Sequence, residues 1–362
     1  MTCDIALPNV QQLQPYVAGK PIEEVQREYG LDHVVKLASN ENPYGASPLA
    51  IEAALKAMRE ISRYPDASGW RLKQALASYY NIEPNQITLG NGSNEVLVLL
   101  TRVFATRQNS VVYSEHGFAV YRLATQGVGS EALIAPAVNY GHDLPAMAGL
   151  VKANTKIIFI ANPNNPTGTW VSGQAICDLL ESVPSNVLVV LDEAYAEYVD
   201  FDRRYDSLAL LAKYPNLVIC RTFSKAHGLA SLRVGYCLSS PDVADMLNRV
   251  RDAFNVNSTA LAAAEAAIQD KTWIESAKLR NDLGLKQLGD AFDAMNLGFI
   301  PSQANFLTLK VGKNASALNQ SLLQHGVIVR PVAGDGLPQH LRVSVGTSAE
   351  NQVFIDAMNV LL

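Results

Sequence analysis

No stretch of the 362-residue chain approaches the roughly 18 unbroken apolar residues that a membrane-crossing helix needs; the longest runs resemble Val187–Leu191. No membrane association is therefore expected. Cysteine is sparse: Cys3, Cys177, Cys220 and Cys237 stand far apart with no CxxC spacing, which excludes a disulfide framework and points to a reduced, intracellular setting. Basic residues are outnumbered, 29 Lys+Arg against 34 Asp+Glu, so there is no positive surplus of the kind that grips nucleic acid. The first residues, Met1-Thr-Cys-Asp4, have neither the basic stretch nor the apolar core of a signal peptide, and a cytoplasmic protein is the expectation. Internal repeats and low-complexity segments are missing too. The six histidines include no pair at i, i+4 with an acid between, so no zinc motif is present and no metal is expected.

What remains is ordinary globular material. Hydrophobic residues make up 48% and charged residues 17%, which excludes disordered, collagen-like and coiled-coil classes and supplies a large core. At roughly 150 residues per domain the length implies about two domains.

The chain changes texture twice. Residues 1–45 are punctuated by Pro8, Pro15, Pro21, Pro43, Gly19, Gly30 and Gly45 and read as an extended arm, with a short helix expected over Ile22 to Tyr29. Residues 46–257 alternate helix-period and strand-like stretches. Ser47-Pro48 is an N-cap with proline at the first helical position, and Ile51, Leu55 and Met58 recur at i, i+4 and i+7. Strands are expected at Gln86–Leu89, Ser110–Tyr113, Lys156–Ile160, Val187–Leu191 and Leu217–Cys220, with helices such as Glu95–Ala105 and Ser172–Val183 between them. That alternation predicts an α/β layer on a mostly parallel sheet, whose ligands bind beyond the carboxyl ends of the strands. Residues 258–362 read as a smaller α+β domain: an alanine-rich helix, a long helical region to about Met295, and strands Asn305–Lys310 and Leu341–Val345 around a helix near Ser316–His325.

Four polar features follow the expected strands. Gly90-Asn-Gly-Ser-Asn-Glu95 is a glycine turn opening a helix, either an ordinary connection or a cradle of N–H groups for an anion. It is no P-loop, since no GK[ST] ends it. Asn162-Pro-Asn-Asn-Pro-Thr-Gly168 is a stiff loop that is either a simple turn or a mount for Asn165. Asp192-Glu-Ala-Tyr195 ends a buried strand in a carboxylate, which costs desolvation unless it is paired, caps a helix or takes part in catalysis. Arg221-Thr-Phe-Ser-Lys-Ala-His-Gly228, with Arg233 beyond it, places Lys225 among aromatic and glycine residues. Alone, each has a bland reading, including a solvated Lys225 and a loop-surface His227. Their order along the chain is the informative observation.

The series NGSNE, NPNNPTG, DEAY and SKAHGLASLR resembles the fold-type I pyridoxal-phosphate aminotransferases. Lys36-Leu-Ala-Ser-Asn-Glu-Asn-Pro-Tyr-Gly45, Gln14-Pro-Tyr16, Arg63-Tyr-Pro-Asp66 and Leu341-Arg-Val-Ser-Val-Gly-Thr347 narrow the resemblance to the histidinol-phosphate aminotransferases, through nearly the whole chain. The resemblance implies pyridoxal 5'-phosphate bound to Lys225 as a Schiff base, the activated-amine form of covalent catalysis. Asp192 would pair with the pyridine nitrogen, Asn165 and Tyr195 would bond the phenolic oxygen, and Phe118 would stack on the ring. Ser93, Asn94, Ser224 and Arg233 would hold the phosphate, arginine by its planar fork. Arg342 would meet the substrate anions, with Arg330 either a second cationic contact or a surface ion pair, and Tyr16 and Asn40 within approach from the arm. Tyr64 would reach the neighbouring subunit's phosphate, which implies a homodimer with shared sites.

Two positions depart from the family pattern. Asn94 stands where many relatives have Asp, and Phe118 where Tyr is frequent. The implied reaction converts imidazole-acetol phosphate and glutamate to histidinol phosphate and 2-oxoglutarate in histidine synthesis. Alternatives are an aromatic amino-acid aminotransferase, a threonine-phosphate-type decarboxylase, and a binding protein that retains the fold. The last is disfavoured because binding alone does not require the lysine.

Overall fold

The computed structural model describes residues 5–15 and 19–362. Its centre is a seven-stranded sheet of β1 (Ile87–Gly90), β2 (Ser110–Ser114), β3 (Glu131–Ala135), β4 (Thr155–Ala161), β5 (Leu188–Asp192), β6 (Leu217–Thr222) and β7 (Gly235–Leu238), in the order β1-β7-β6-β5-β4-β2-β3. β7 runs antiparallel to both neighbours, while the pairings from β6 across to β3 are parallel. Side chains alternate across the sheet, as extended backbone requires. Ile158, Ile160, Val189 and Leu191 face helices Trp70–Tyr80, Gly173–Ser182 and Ser258–Gln269. Ile157, Phe159, Leu188 and Val190 face helices Ser93–Phe104, Ala119–Gly127 and Pro241–Val250. Both faces are covered, which explains why the parallel strands read as unbroken apolar runs.

A second core surrounds the sheet of β8 (Phe299–Ile300), β9 (Phe306–Lys310), β10 (Arg330–Pro331) and β11 (His340–Ser344), in the order β8-β9-β11-β10. The arm joins this unit. Val35–Lys36 pairs in parallel with Val327–Ile328, and Val25 packs with Leu323 and Ile328. Helix Ile22–Tyr29 forms and ends at Gly30, whose φ of +67° lies in the left-handed region that closes helices at glycine.

Two placements differ from the sequence expectations. Helix Ser258–Gln269, expected in the smaller domain, packs Ala260, Ala263, Ala264, Ala267 and Ile268 into the larger core. Alanine is responsible: its small side chains allow the close approach to helix Pro48–Ala57 that a bulkier face would block. In that partner helix Ser47 caps the Leu49 N–H as expected, but the stripe of Ile51, Leu55 and Met58 points to solvent while Ala50 is buried. No helix among the described residues is long and apolar enough to cross a membrane.

Candidate active site

The sheet's connectivity explains where the polar features gather. Gly90, Ser114, Ala161, Asp192 and Thr222 are the last residues of five strands that end at one edge. Because β7 is antiparallel, its first residue, Gly235, lies in register with Gly90 and Thr222 and brings Arg233 to the same edge. One cavity opens there. It is lined by Ser93, Asn94, Phe118, Asn165, Asp192, Tyr195, Ser224, Lys225 and Arg233, with Asn40, Arg330 and Arg342 on the side of the smaller unit. Two expected residues lie elsewhere. Tyr64 is exposed on the outer surface, stacked on Phe254 at 4.7 Å, and Tyr16 lies outside the described residues.

Asp192 is buried at the end of β5. Its Oδ2 accepts a hydrogen bond from the Tyr121 hydroxyl at 2.9 Å and its Oδ1 accepts one from the Ala194 N–H at 3.2 Å. Burial nevertheless raises its pKa to about 6. Lys225, on the turn after β6, donates from Nζ to the Ser39 carbonyl at 2.9 Å. Burial, then the Arg342 charge and, more weakly, Arg233, bring its amine down to about 7, against the opposing pull of Glu41 and Asp192. An amine neutral near pH 7 is a nucleophile and a base at the same time.

At one end of the cavity the helix Ser93–Phe104 begins, where first-turn N–H groups have no intrahelical acceptor. Arg233 donates to Ser224 Oγ at 3.1 Å beside it. Glycine is required twice here. A Cβ on Gly92, whose φ is +79°, would strike the Arg233 guanidinium, and one on Gly235 would strike the Ser93 amide nitrogen. Arg233 itself is held at φ +58°, a left-handed conformation uncommon for residues other than glycine and often kept at functional sites.

At the other end Arg342, reaching from β11, donates from Nη1 to Asn165 Oδ1 at 2.5 Å and from Nη2 to the Ala38 carbonyl at 2.5 Å. Its guanidinium lies 5.2 Å from the Phe306 ring centroid. Asn40 connects the parts: its N–H donates to Ser344 Oγ at 2.8 Å and its Nδ2 donates to the Tyr195 hydroxyl at 2.9 Å.

Several participants escaped the sequence reading. The Ala38 and Ser39 carbonyls carry no side-chain signal. Tyr121 reads as core, although its i, i+3 spacing from Phe118 places both rings on one face of a helix start. Glu193 receives two hydrogen bonds from Arg221 and further ones from Tyr205 and Ser207, a buried network behind the site. His227 is a correction. It is buried rather than on a loop surface, tilted against Phe223 at 4.8 Å, and burial lowers its pKa to about 4. The loop turns inward there because Gly228, at φ +73°, lies directly against the Gly45 carbonyl.

Residues 32–358 match the family model for aminotransferase class I and II. The chain belongs to this aminotransferase family. A histidinol-phosphate aminotransferase 2 of Pseudomonas fluorescens (strain Pf0-1) is 54% identical over 360 residues, covering 99% of this chain and 97% of the relative. Its counterpart in Pseudomonas aeruginosa is 52% identical, with coverage of 99% and 98%. Among solved structures of the aminotransferase fold, histidinol-phosphate aminotransferase from Sinorhizobium meliloti in complex with pyridoxal-5'-phosphate superposes with a TM-score of 0.91 at 29% identity, covering 99% and 98% of the two chains.

Proposed function

We propose that this aminotransferase interconverts histidinol phosphate plus 2-oxoglutarate and imidazole-acetol phosphate plus glutamate, using pyridoxal 5'-phosphate. The observation that carries the reading is the convergence of Lys225, Asp192 and two arginines, Arg330 and Arg342, on one cavity. The relatives at about half identity over the full length carry the same activity in their names.

The residues fit the cofactor. The space that Cβ atoms on Gly92 and Gly235 would fill is kept for the Arg233 guanidinium and the Ser93 amide, a cradle suited to a phosphate. Ser93, Asn94, Ser224 and Arg233 would hold that phosphate, Phe118 the ring face, Asn165 and Tyr195 the phenolic oxygen, and Asp192 the pyridine nitrogen. When bound, the group supplies an electron sink for the carbanion that forms at the substrate Cα. Lys225 would anchor it covalently and, once displaced by the substrate amine, take the Cα proton as general base. Arg342, now occupied with Asn165 and Ala38, would exchange those partners for a substrate anion, with Arg330 beside it. Asn40 would fix Tyr195 from the arm side.

A cytoplasmic homodimer completes the proposal. The outward stripe of Ile51, Leu55 and Met58 and the exposed Tyr64 lie along one stretch of chain, in keeping with a face covered by a second copy.

The test mixes cofactor-loaded protein singly with histidinol phosphate, Phe, Tyr and Glu and follows conversion of the cofactor aldehyde to the amine by absorbance. Conversion is expected to be faster with histidinol phosphate than with Phe or Tyr. The reverse order would establish the aromatic reading, and carbon dioxide release without consumption of keto acid the decarboxylase. Lys225→Ala is expected to fold, to lose borohydride-fixable cofactor and to lose transamination; full activity in it refutes the mechanism.

A further inference from the structure

Tyr121 does not line the cavity, yet it touches the residue that matters most there. It lies in the first turn of helix Ala119–Gly127 and is fully buried. Its ring stacks on Phe159 of β4, centroids 4.7 Å apart and planes within 2°. Phe118, which does line the cavity, meets the same ring edge-on at 5.8 Å and 90°. Two aromatic contacts at right angles leave the phenol little freedom, and its hydroxyl is aimed at Asp192 Oδ2 at 2.9 Å.

A phenol so buried stays protonated, held well above its ordinary range by burial and by the Asp192 charge, so it acts as a donor at every working pH. Donation to an ionised carboxylate is among the stronger hydrogen bonds and favours the charged form. With Oδ2 engaged by Tyr121 and Oδ1 by the Ala194 N–H, the carboxyl plane is fixed from two sides. The other charged or titratable groups near it are Glu193 on the same strand end, Lys225, and Cys220 on β6.

We propose that Tyr121 is a positioning residue: it holds the Asp192 carboxylate ionised and oriented so that a ligand's heteroaromatic nitrogen keeps its proton in the cavity. The inference rests on the pyridoxal-phosphate reading and deepens it. Phe118 and Tyr121 then divide the work of one helix start, the first meeting the ring face and the second acting through the carboxylate. Removing the hydroxyl makes the carboxylate more basic, and the shared proton moves from the ring nitrogen toward Asp192.

The experiment loads wild-type protein, Tyr121→Phe, Asp192→Asn and the double variant with cofactor labelled with 15N at the ring nitrogen. The pH midpoint of the nitrogen signal and the cofactor dissociation constant are both measured. Tyr121→Phe is expected to lower the midpoint by about one unit and weaken cofactor binding roughly tenfold, the size of one charge-assisted hydrogen bond. In the Asp192→Asn background the same substitution is expected to move the midpoint no further. Site-specific fluorotyrosine at 121, a stronger donor of nearly the same shape, is expected to raise the midpoint and provides a second reading if the Phe variant unfolds. An unchanged midpoint in folded Tyr121→Phe, or an equal shift without Asp192, overturns the inference while leaving the cofactor reading intact. Wild-type protein that takes up no cofactor at Lys225 overturns both.

Discussion

A carboxyl group buried as Asp192 is, with a pKa near 6, makes the cofactor-free protein pH-sensitive in a defined window. Unfolded, the same group titrates at about 3.9. Between those values the native state binds more protons than the unfolded one, so stability falls as pH rises from about 4 to about 6. The loss amounts to roughly 3 kcal/mol. Urea unfolding of cofactor-free Asp192→Asn should therefore show a gain over wild type that is larger at pH 7 than at pH 4.5, by about 2 kcal/mol, the part of the loss that falls between those two values. An equal difference at both pH values would mean that the carboxyl is not desolvated. At this scale the meeting of Asn165, Asp192 and Lys225 in one cavity was legible from their order along the chain and not from any one of them, because each has a bland use at the end of its apolar run. Tyr121 was not, since an aromatic on an apolar helix face looks the same whether its hydroxyl meets water or a carboxylate.

Among the elements, β5 and β6 are joined behind the site by the Arg221–Glu193 pair at 2.7 Å, with Tyr80, Tyr205 and Ser207 closing the network. Both charges are largely out of water, and removing one leaves the other uncompensated. Arg221→Met is expected to destabilise the protein by about 3 to 5 kcal/mol, read from chemical denaturation. Glu193→Gln, which keeps one acceptor oxygen but turns an NH2 group toward donors and leaves the Arg221 charge unbalanced, is expected to destabilise as well. Five of the strands, β1, β2, β4, β5 and β6, could be read from their apolar runs because both faces of the sheet are covered. β3 and β7 could not. β3 lies at the edge with an alternating, half-exposed pattern, and β7 is a four-residue strand whose Gly235 is needed for space against Ser93. The alanine helix Ser258–Gln269 was legible as a helix but not in its placement, since small side chains pack equally well in either core.

The whole molecule presents an apolar stripe that its own fold leaves uncovered. Ile51 is 49%, Leu55 60% and Met58 52% exposed, although their spacing is that of a buried face. In a symmetric pair each substitution counts twice. Leu55→Lys is expected to leave the monomer folded and to weaken self-association by roughly a hundredfold, seen in sedimentation velocity as a shift to monomer. If the proposed dimer shares its sites, transamination should decline with it, since Tyr64 would then have no second cavity to reach. A stable dimer in Leu55→Lys would place the interface elsewhere. Amphipathic periodicity showed that a stripe exists; whether its neighbour belongs to the same chain is information that periodicity does not contain.

The strand Val35–Lys36 finds its partner at Val327–Ile328, and Asn40 finds Ser344. Almost the entire polypeptide must be synthesised before these early residues have anything to hold. The carbonyls of Ala38 and Ser39, which restrain Arg342 and Lys225, are thus among the last parts to settle. A nascent chain on the ribosome has its large core in hand long before it has a closed pocket. The side chains that would seat the cofactor, from Ser93 to Arg233, belong to that early core, whereas Arg342 arrives only with the final strand, so translation arrested shortly before it would leave a folded body without its substrate-side arginine.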